Sequence, residues 1–168
     1  MKTFLLVSVL FLPDFKFPVN KTLINNYYLL KSTDSTRYAI LKHTKDDFIF
    51  SSDAAPATLS SAEVQNILDL VYKKVDEYNK AVRKKPYAHL IRRPKRYYKQ
   101  IIAVTNSKGE KEVWVNCFCN SDDKSRNDDN SYWKKGIVSV YDGGSCYFNL
   151  RINLTTNRVY DFSVNGVA

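Results

Sequence analysis

DGGSCYFNLRINLTTNRVYDFSVNG, Asp142 to Gly166, is the stretch whose reading decides the fold. Side chains of a strand point alternately to opposite faces, so Cys146, Phe148, Leu150, Ile152 and Leu154 share one side and Ser145, Tyr147, Asn149, Arg151 and Asn153 the other. The first row is apolar and the second mixes rings, amides and one guanidinium. "TTN" then breaks the alternation with turn-forming residues, and "RVYDFSVNG" resumes it, which predicts an antiparallel hairpin.

Working backwards, "GIVSVY" precedes "DGG" and is expected to be a further strand. "YYKQIIAVT" and "KEVWVNCFC" flank "NSKG", a tight-turn signal in which Gly109 can take a positive φ. The count is five strands, all expected to be antiparallel because the connections are short. On the earlier hairpin Val113, Val115, Cys117 and Cys119 form a small apolar row, while Glu112, Trp114, Asn116 and Phe118 form a mixed one.

Ahead of the strands lies one clear helix. Ser60 stands three residues before Glu63, the spacing of a capping box. Val64, Ile67, Leu68, Val71, Val75 and Tyr78 follow at three- and four-residue steps, which places them on one face. The helix is therefore expected from about Ser61 to Val82, with Pro86 beyond its end. The apolar strand rows should meet it, giving a single α+β domain over residues 19–168: one long helix packed on a curved antiparallel β-meander, with the sheet over about 97–165. Upstream, "NNYYLLK" and "RYAILKH" around "STDST" predict an extra N-terminal β-hairpin, a short run at Phe48–Phe50 a continuing edge, and "SSDAAPATLSS" a linker.

Helix followed by meander resembles the cystatin-like and nuclear-transport-factor-like folds over about residues 60–166. That resemblance implies a fold and no activity, because such folds host unrelated functions. Cystatin-type protease inhibition would need a Gln-x-Val-x-Gly loop in the first sheet hairpin, and "VTNSKGE" stands there instead. The combination of "VWVNCFC", "DGGSCYFNLRINL" and "YDFSVNGVA" also resembles the C-terminal regions of small uncharacterised bacterial exported proteins, over residues 97–168. It implies no particular activity.

The chain carries a net charge of +9, which favours anionic partners. Eleven Lys and Arg against Asp76 and Glu77 fall between Lys73 and Lys99, so this run alone matches the whole-chain excess. Within it "RKKPYAHLIRRPKR" reads as an exposed connector, with Arg92, Arg93, Lys95 and Arg96 as anion-binding candidates and a membrane surface as one partner they would suit. Nucleic acid is not the expected partner, although Tyr87, Tyr97 and Tyr98 could stack on bases. "MKTFLLVSVLFL" has the charge and apolar run of a secretory signal without a small-residue cleavage site, and it is too short to span a bilayer. It predicts an exported protein, periplasmic, cell-surface or secreted; if uncleaved it would be part of the fold of a cytoplasmic one.

Catalytic patterns are scarce. His43 and His89 have no nucleophile or acid at an informative spacing, and the acids of "DDKSRNDDN" are interrupted by Lys124 and Arg126. No cofactor motif occurs and no metal site is expected. Three cysteines cannot all pair within a monomer: they fit buried small residues, or a disulfide from Cys146 to Cys117 or Cys119 if the two strands are neighbours. The mixed face, Trp114, Asn116, Phe118, Tyr147, Asn149 and Arg151, has the composition of a recognition surface for a protein or a glycan. The leading expectation is a non-catalytic exported binding domain. The alternatives are an intracellular protein-neutralising, immunity-like partner and an enzyme of the cone-shaped α+β type with a helix–sheet pocket.

Overall fold

A computed structural model describes residues 37–45, 49–86, 89–119 and 132–167. The chain runs β1 (Tyr38–Leu41), β2 (Ala55–Pro56), α1 (Ser61–Val82), β3 (Tyr98–Thr105), β4 (Lys111–Phe118), β5 (Tyr147–Asn153) and β6 (Arg158–Val164). It is an α+β fold. The sheet order is β1-β3-β4-β5-β6, with β2 beside β3.

Helix α1 begins where its capping residues require. Ser60 Oγ accepts from the Glu63 amide while the Glu63 carboxylate accepts from the Ser60 amide at 2.7 Å, so two amides with no helical partner are satisfied together. Its apolar stripe, Val64, Ile67, Leu68, Val71 and Val75, is buried against Ile101, Ala103, Val113, Val115, Cys117, Phe148, Leu150 and Ile152. These are the pure rows read from the strands. Each side chain of this size removed from water contributes on the order of 1.5–3 kcal/mol, so this face holds helix and sheet together.

The strands after α1 pair antiparallel in chain order, β3 with β4, β4 with β5 and β5 with β6. Gly109 supplies the positive φ of the first hairpin turn, and Asn157 that of the last. Among the described residues four strands follow the helix, not five. "GIVSVY" forms no strand but crosses the other side of the sheet, because Gln100 and Asn116 side chains bind its backbone, as described below.

At the other edge, β1 lies parallel to β3, Tyr38 opposite Lys99 and Leu41 opposite Ile102. The chain leaves β1, passes through α1 and returns as β3, so β1 belongs to a β-α-β crossover. The expected hairpin partner "NNYYLLK" and the hydrophobic start of the chain lie outside the described residues, as does the acidic loop 122–130. Phe48 does too, while Ile49 and Phe50 form a bend, not a strand. The supposed linker is partly structured, since Ala55 and Pro56 pair with Thr105 and Val104.

Candidate functional site

The face of the sheet away from α1 carries Gln100, Ile102, Trp114, Asn116, Phe118, Tyr147, Asn149 and Arg151, as strand alternation requires. It is not an open surface. Two pieces of chain lie over it: one contributes Ile49 and Phe50, the other runs from Tyr132 to Val140.

The second cover is held by amide side chains. Gln100, completely buried, donates through Nε2 to the carbonyls of Trp133 and Gly136 at 2.5 and 2.6 Å, and its Oε1 accepts from the Val138 amide at 2.9 Å. Asn116 Nδ2 donates to Val138 O at 2.7 Å and to Gln100 Oε1 at 3.1 Å. Asn165 Nδ2 donates to the carbonyls of Val140 and Asp142. Alternate residues of the segment, 136, 138 and 140, are thus gripped by side chains. Sheet-like hydrogen bonding is satisfied without a sheet partner.

Beneath the cover the aromatic end is dry. Phe118, only 2% exposed, packs with Tyr98 and Trp133 at ring-centroid separations of 5.7 and 6.0 Å. Phe118 is therefore core, not a recognition residue. Trp133, 4% exposed, supplies the lid. A disulfide from Cys119 to Cys146 stands beside it, and the Cys119 amide donates to the Cys146 carbonyl. The bridge forms because β4 and β5 are neighbours with Phe118 opposite Tyr147, which makes Cys119 and Cys146 the next pair. Cys146 sits in a short turn just before β5 and not within the strand. Cys117 is the remaining thiol, and burial pushes it up to about 12.

At the opposite end of this face a charged group closes the surface. Arg151 lies 3.6 Å from Asp161 and over the Phe50 ring at 5.3 Å. Glu112 accepts from Tyr160 Oη at 3.0 Å and from Asn106 Nδ2 at 2.7 Å. Burial first, then the Glu112 carboxylate, raises the Tyr160 hydroxyl above its ordinary value. A register irregularity beside Arg151 brings Tyr160 to this position.

Between the two ends lies a cleft of about 230 Å³, lined by Ile49, Trp114, Asn116, Tyr147, Asn149, Asn165 and the Ile137–Val140 segment. The row Gln100, Asn116, Asn149 and Ser163 crosses four strands in register. Its first two amides are spent on the cover. The Asn149 side chain makes no hydrogen bond to any described residue, and it sits on the cleft floor with Tyr147 two positions along its own strand.

Of the six residues the sequence placed on this surface, Trp114, Tyr147 and Asn149 line the cleft with their chemistry unspent. Asn116 lines it but is committed to Val138, Arg151 stands outside its lining held by Asp161 and Phe50, and Phe118 is buried. Ile49, Asn165 and residues 137–140 were missed as lining. A covering segment leaves no periodic signal, and only the isolated pair of buried-face amides, Gln100 and Asn116, hints that a backbone must lie across them.

The basic connector is ordered on the helix. Asn79 donates to Ile91 O and accepts from Ile91 N, both at 2.9 Å, and Tyr78 Oη donates to His89 O. Arg92, Arg93, Lys95 and Arg96 are exposed. Lys99 is not, being 2% exposed with Nζ donating to the carbonyls of Tyr97 and Pro94. Tyr97 is also buried, giving its hydroxyl to Ser145 O, and so offers no stacking ring.

His43 is buried edge-on against Phe50 and His89 lies in the connector, and neither joins a catalytic set among the described residues. No cluster of metal-ligating side chains occurs among the described residues. Nor is any described helix long and apolar enough to cross a membrane. No protein-family model matches the chain, and no match was found among curated proteins or solved structures.

Proposed function

We propose that this protein is a non-catalytic, exported binding domain of cystatin-like architecture whose cleft takes a sugar unit of a glycan. The observation that carries the reading is the Asn149 side-chain amide on the floor of a cleft, itself without a hydrogen bond to any described residue, with Trp114 and Tyr147 lining the same hollow. An amide supplies one acceptor and two donors, matching vicinal hydroxyls, and aromatic rings cover the apolar faces of a sugar with little loss of side-chain entropy. A floor held by Gln100 and Asn116 is preorganised, so little ordering cost falls on binding.

Helix and sheet meet through closely packed apolar side chains, which supports placing recognition on the far face. The helix followed by an antiparallel β3–β6 meander is what supports the cystatin-like comparison.

The test is titration of soluble oligosaccharides against the protein, followed by tryptophan emission and calorimetry. Binding that is lost in Asn149→Ala and Trp114→Ala supports the cleft. A saccharide bound equally by both variants, or a broad panel with no binder, would sink this reading; a bound peptide in place of any sugar would move the site to protein recognition.

A further inference from the structure

We propose that the Arg92–Arg96 turn is a docking surface for an anionic lipid headgroup layer. It is separate from the cleft. Four cations fall within five residues, all exposed, and Arg92, Arg93, Lys95 and Arg96 form no ion pair with any described residue. Arg83, Lys84 and Lys85 follow the helix end nearby in sequence, and no acidic residue lies between Arg83 and Lys99.

The turn is built, not loose. Asn79 clamps Ile91 with two hydrogen bonds on one side. The Arg37 guanidinium donates to Arg96 O at 2.9 Å on the other, and the buried Lys99 ammonium braces the carbonyls of Pro94 and Tyr97 from beneath. Arg93 is held at φ 53, a left-handed conformation that a non-glycine residue adopts only when its surroundings impose it. The charged heads are thereby displayed from a fixed backbone.

What is missing selects the partner. A stable protein interface centres on buried aromatic or aliphatic anchors, and none of the exposed large hydrophobic side chains falls between Arg83 and Lys99 among the described residues. Single-stranded nucleic acid needs stacking rings, and among the described residues Tyr97 is buried and Tyr98 packs under Arg37 and against Trp133, while Tyr87 lies outside the described residues. Small ligands need concavity, and no residue of the turn lines the cleft or the smaller hollow bordered by Leu70, Glu77 and Val159. A broad layer of anionic headgroups asks for none of these and meets several cations at once.

The experiment is co-sedimentation of the protein with phosphatidylcholine vesicles and with phosphatidylcholine–phosphatidylglycerol vesicles across a salt series. Partition onto the anionic vesicles alone, falling with salt, is expected. Arg92→Gln with Arg96→Gln should weaken it about 30-fold, the loss of two cations' attraction to the surface. A control of equal charge change, Lys108→Gln with Arg158→Gln, lies at the opposite end of the sheet and should retain most of the binding. Equal weakening by both pairs would show diffuse charge and overturn the site. So would no partition at low salt, or a duplex oligonucleotide bound more tightly than the vesicles at the same ionic strength. Urea midpoints of both pairs should match the parent, since these side chains are exposed.

Discussion

Asn116 Nδ2 lies 2.7 Å from the Val138 carbonyl oxygen, and through this bond a sheet side chain does what a neighbouring strand would otherwise do. Gln100, one strand over and in register with Asn116, completes the grip. One consequence is a cleft whose wall is a backbone fixed by amides. Another is that stability and site geometry share the same hydrogen bonds.

Gln100→Leu should therefore cost about 3 kcal/mol, because it strands partners at buried Trp133 and half-buried Gly136 and Val138 that cannot all reach water without the cover lifting. Urea unfolding reads the loss. Tryptophan emission should shift to the red in the native baseline as Trp133, now 4% exposed, becomes wet. A variant of unchanged stability and emission would show that the segment is held by something other than Gln100.

Asn149→Ala should behave in the opposite way. No described partner is lost, so stability should move by less than about 0.5 kcal/mol. If the cleft is the site, ligand binding goes while the fold stays. Loss of stability comparable with that of Gln100→Leu would mean that Asn149 is structural.

The contrast between these two amides explains what the sequence could and could not disclose. Strand alternation sorted Leu150 from Asn149 and Val115 from Asn116 correctly, because a sheet covered by a helix on one side imposes a period of two. The capping box and apolar steps placed α1 for the same reason: local geometry decides local pattern. "GIVSVY" misled because its β-branched residues suit any extended chain, and extension does not say whether the partner is a strand or a side chain. Parallel pairing of Tyr38–Leu41 was illegible too, since a crossover is a long-range fact. Lys99 was counted in the basic run, and only the strand register showed it facing inward.

Thiol counting tests the sulfur assignment. Under native conditions a maleimide should label no cysteine, because Cys119 and Cys146 are joined and burial holds the Cys117 thiol protonated up to about 12. In denaturant without reductant one thiol should react; after reduction, all three should. Because the folded thiol is harder to ionise than the unfolded one, its contribution is fully present below pH 9 and decays as pH rises from there towards about 12. Opening the bridge, which closes a sequence separation of 27 residues around the cover, should cost about 3.5 kcal/mol by loop entropy. Rapid native labelling of Cys117 would refute its burial.

Glu63 gives the acid-side prediction. Lys111 Nζ sits 2.6 Å from its Oε1 and also donates to Thr58 O at 3.1 Å, so a β4 side chain ties down the first turn of α1. That hydrogen bond, and then the Ser60 amide, lowers the carboxyl to about 2 from an ordinary 4.5. A carboxylate made more acidic by folding stabilises the folded state above its unfolded value, and the contribution disappears as pH falls from 4.5 to about 2. Both partners are about one-third exposed, so solvent screening limits the contribution to about 1 kcal/mol. Glu63→Gln should accordingly lower stability by about 1 kcal/mol at pH 7, and by progressively less as the parent is acidified. Urea midpoints of parent and variant, measured at a series of pH values, should converge towards pH 2. A difference that stays constant across the series would assign the loss to the capping geometry alone and remove the Lys111 ion pair from the account.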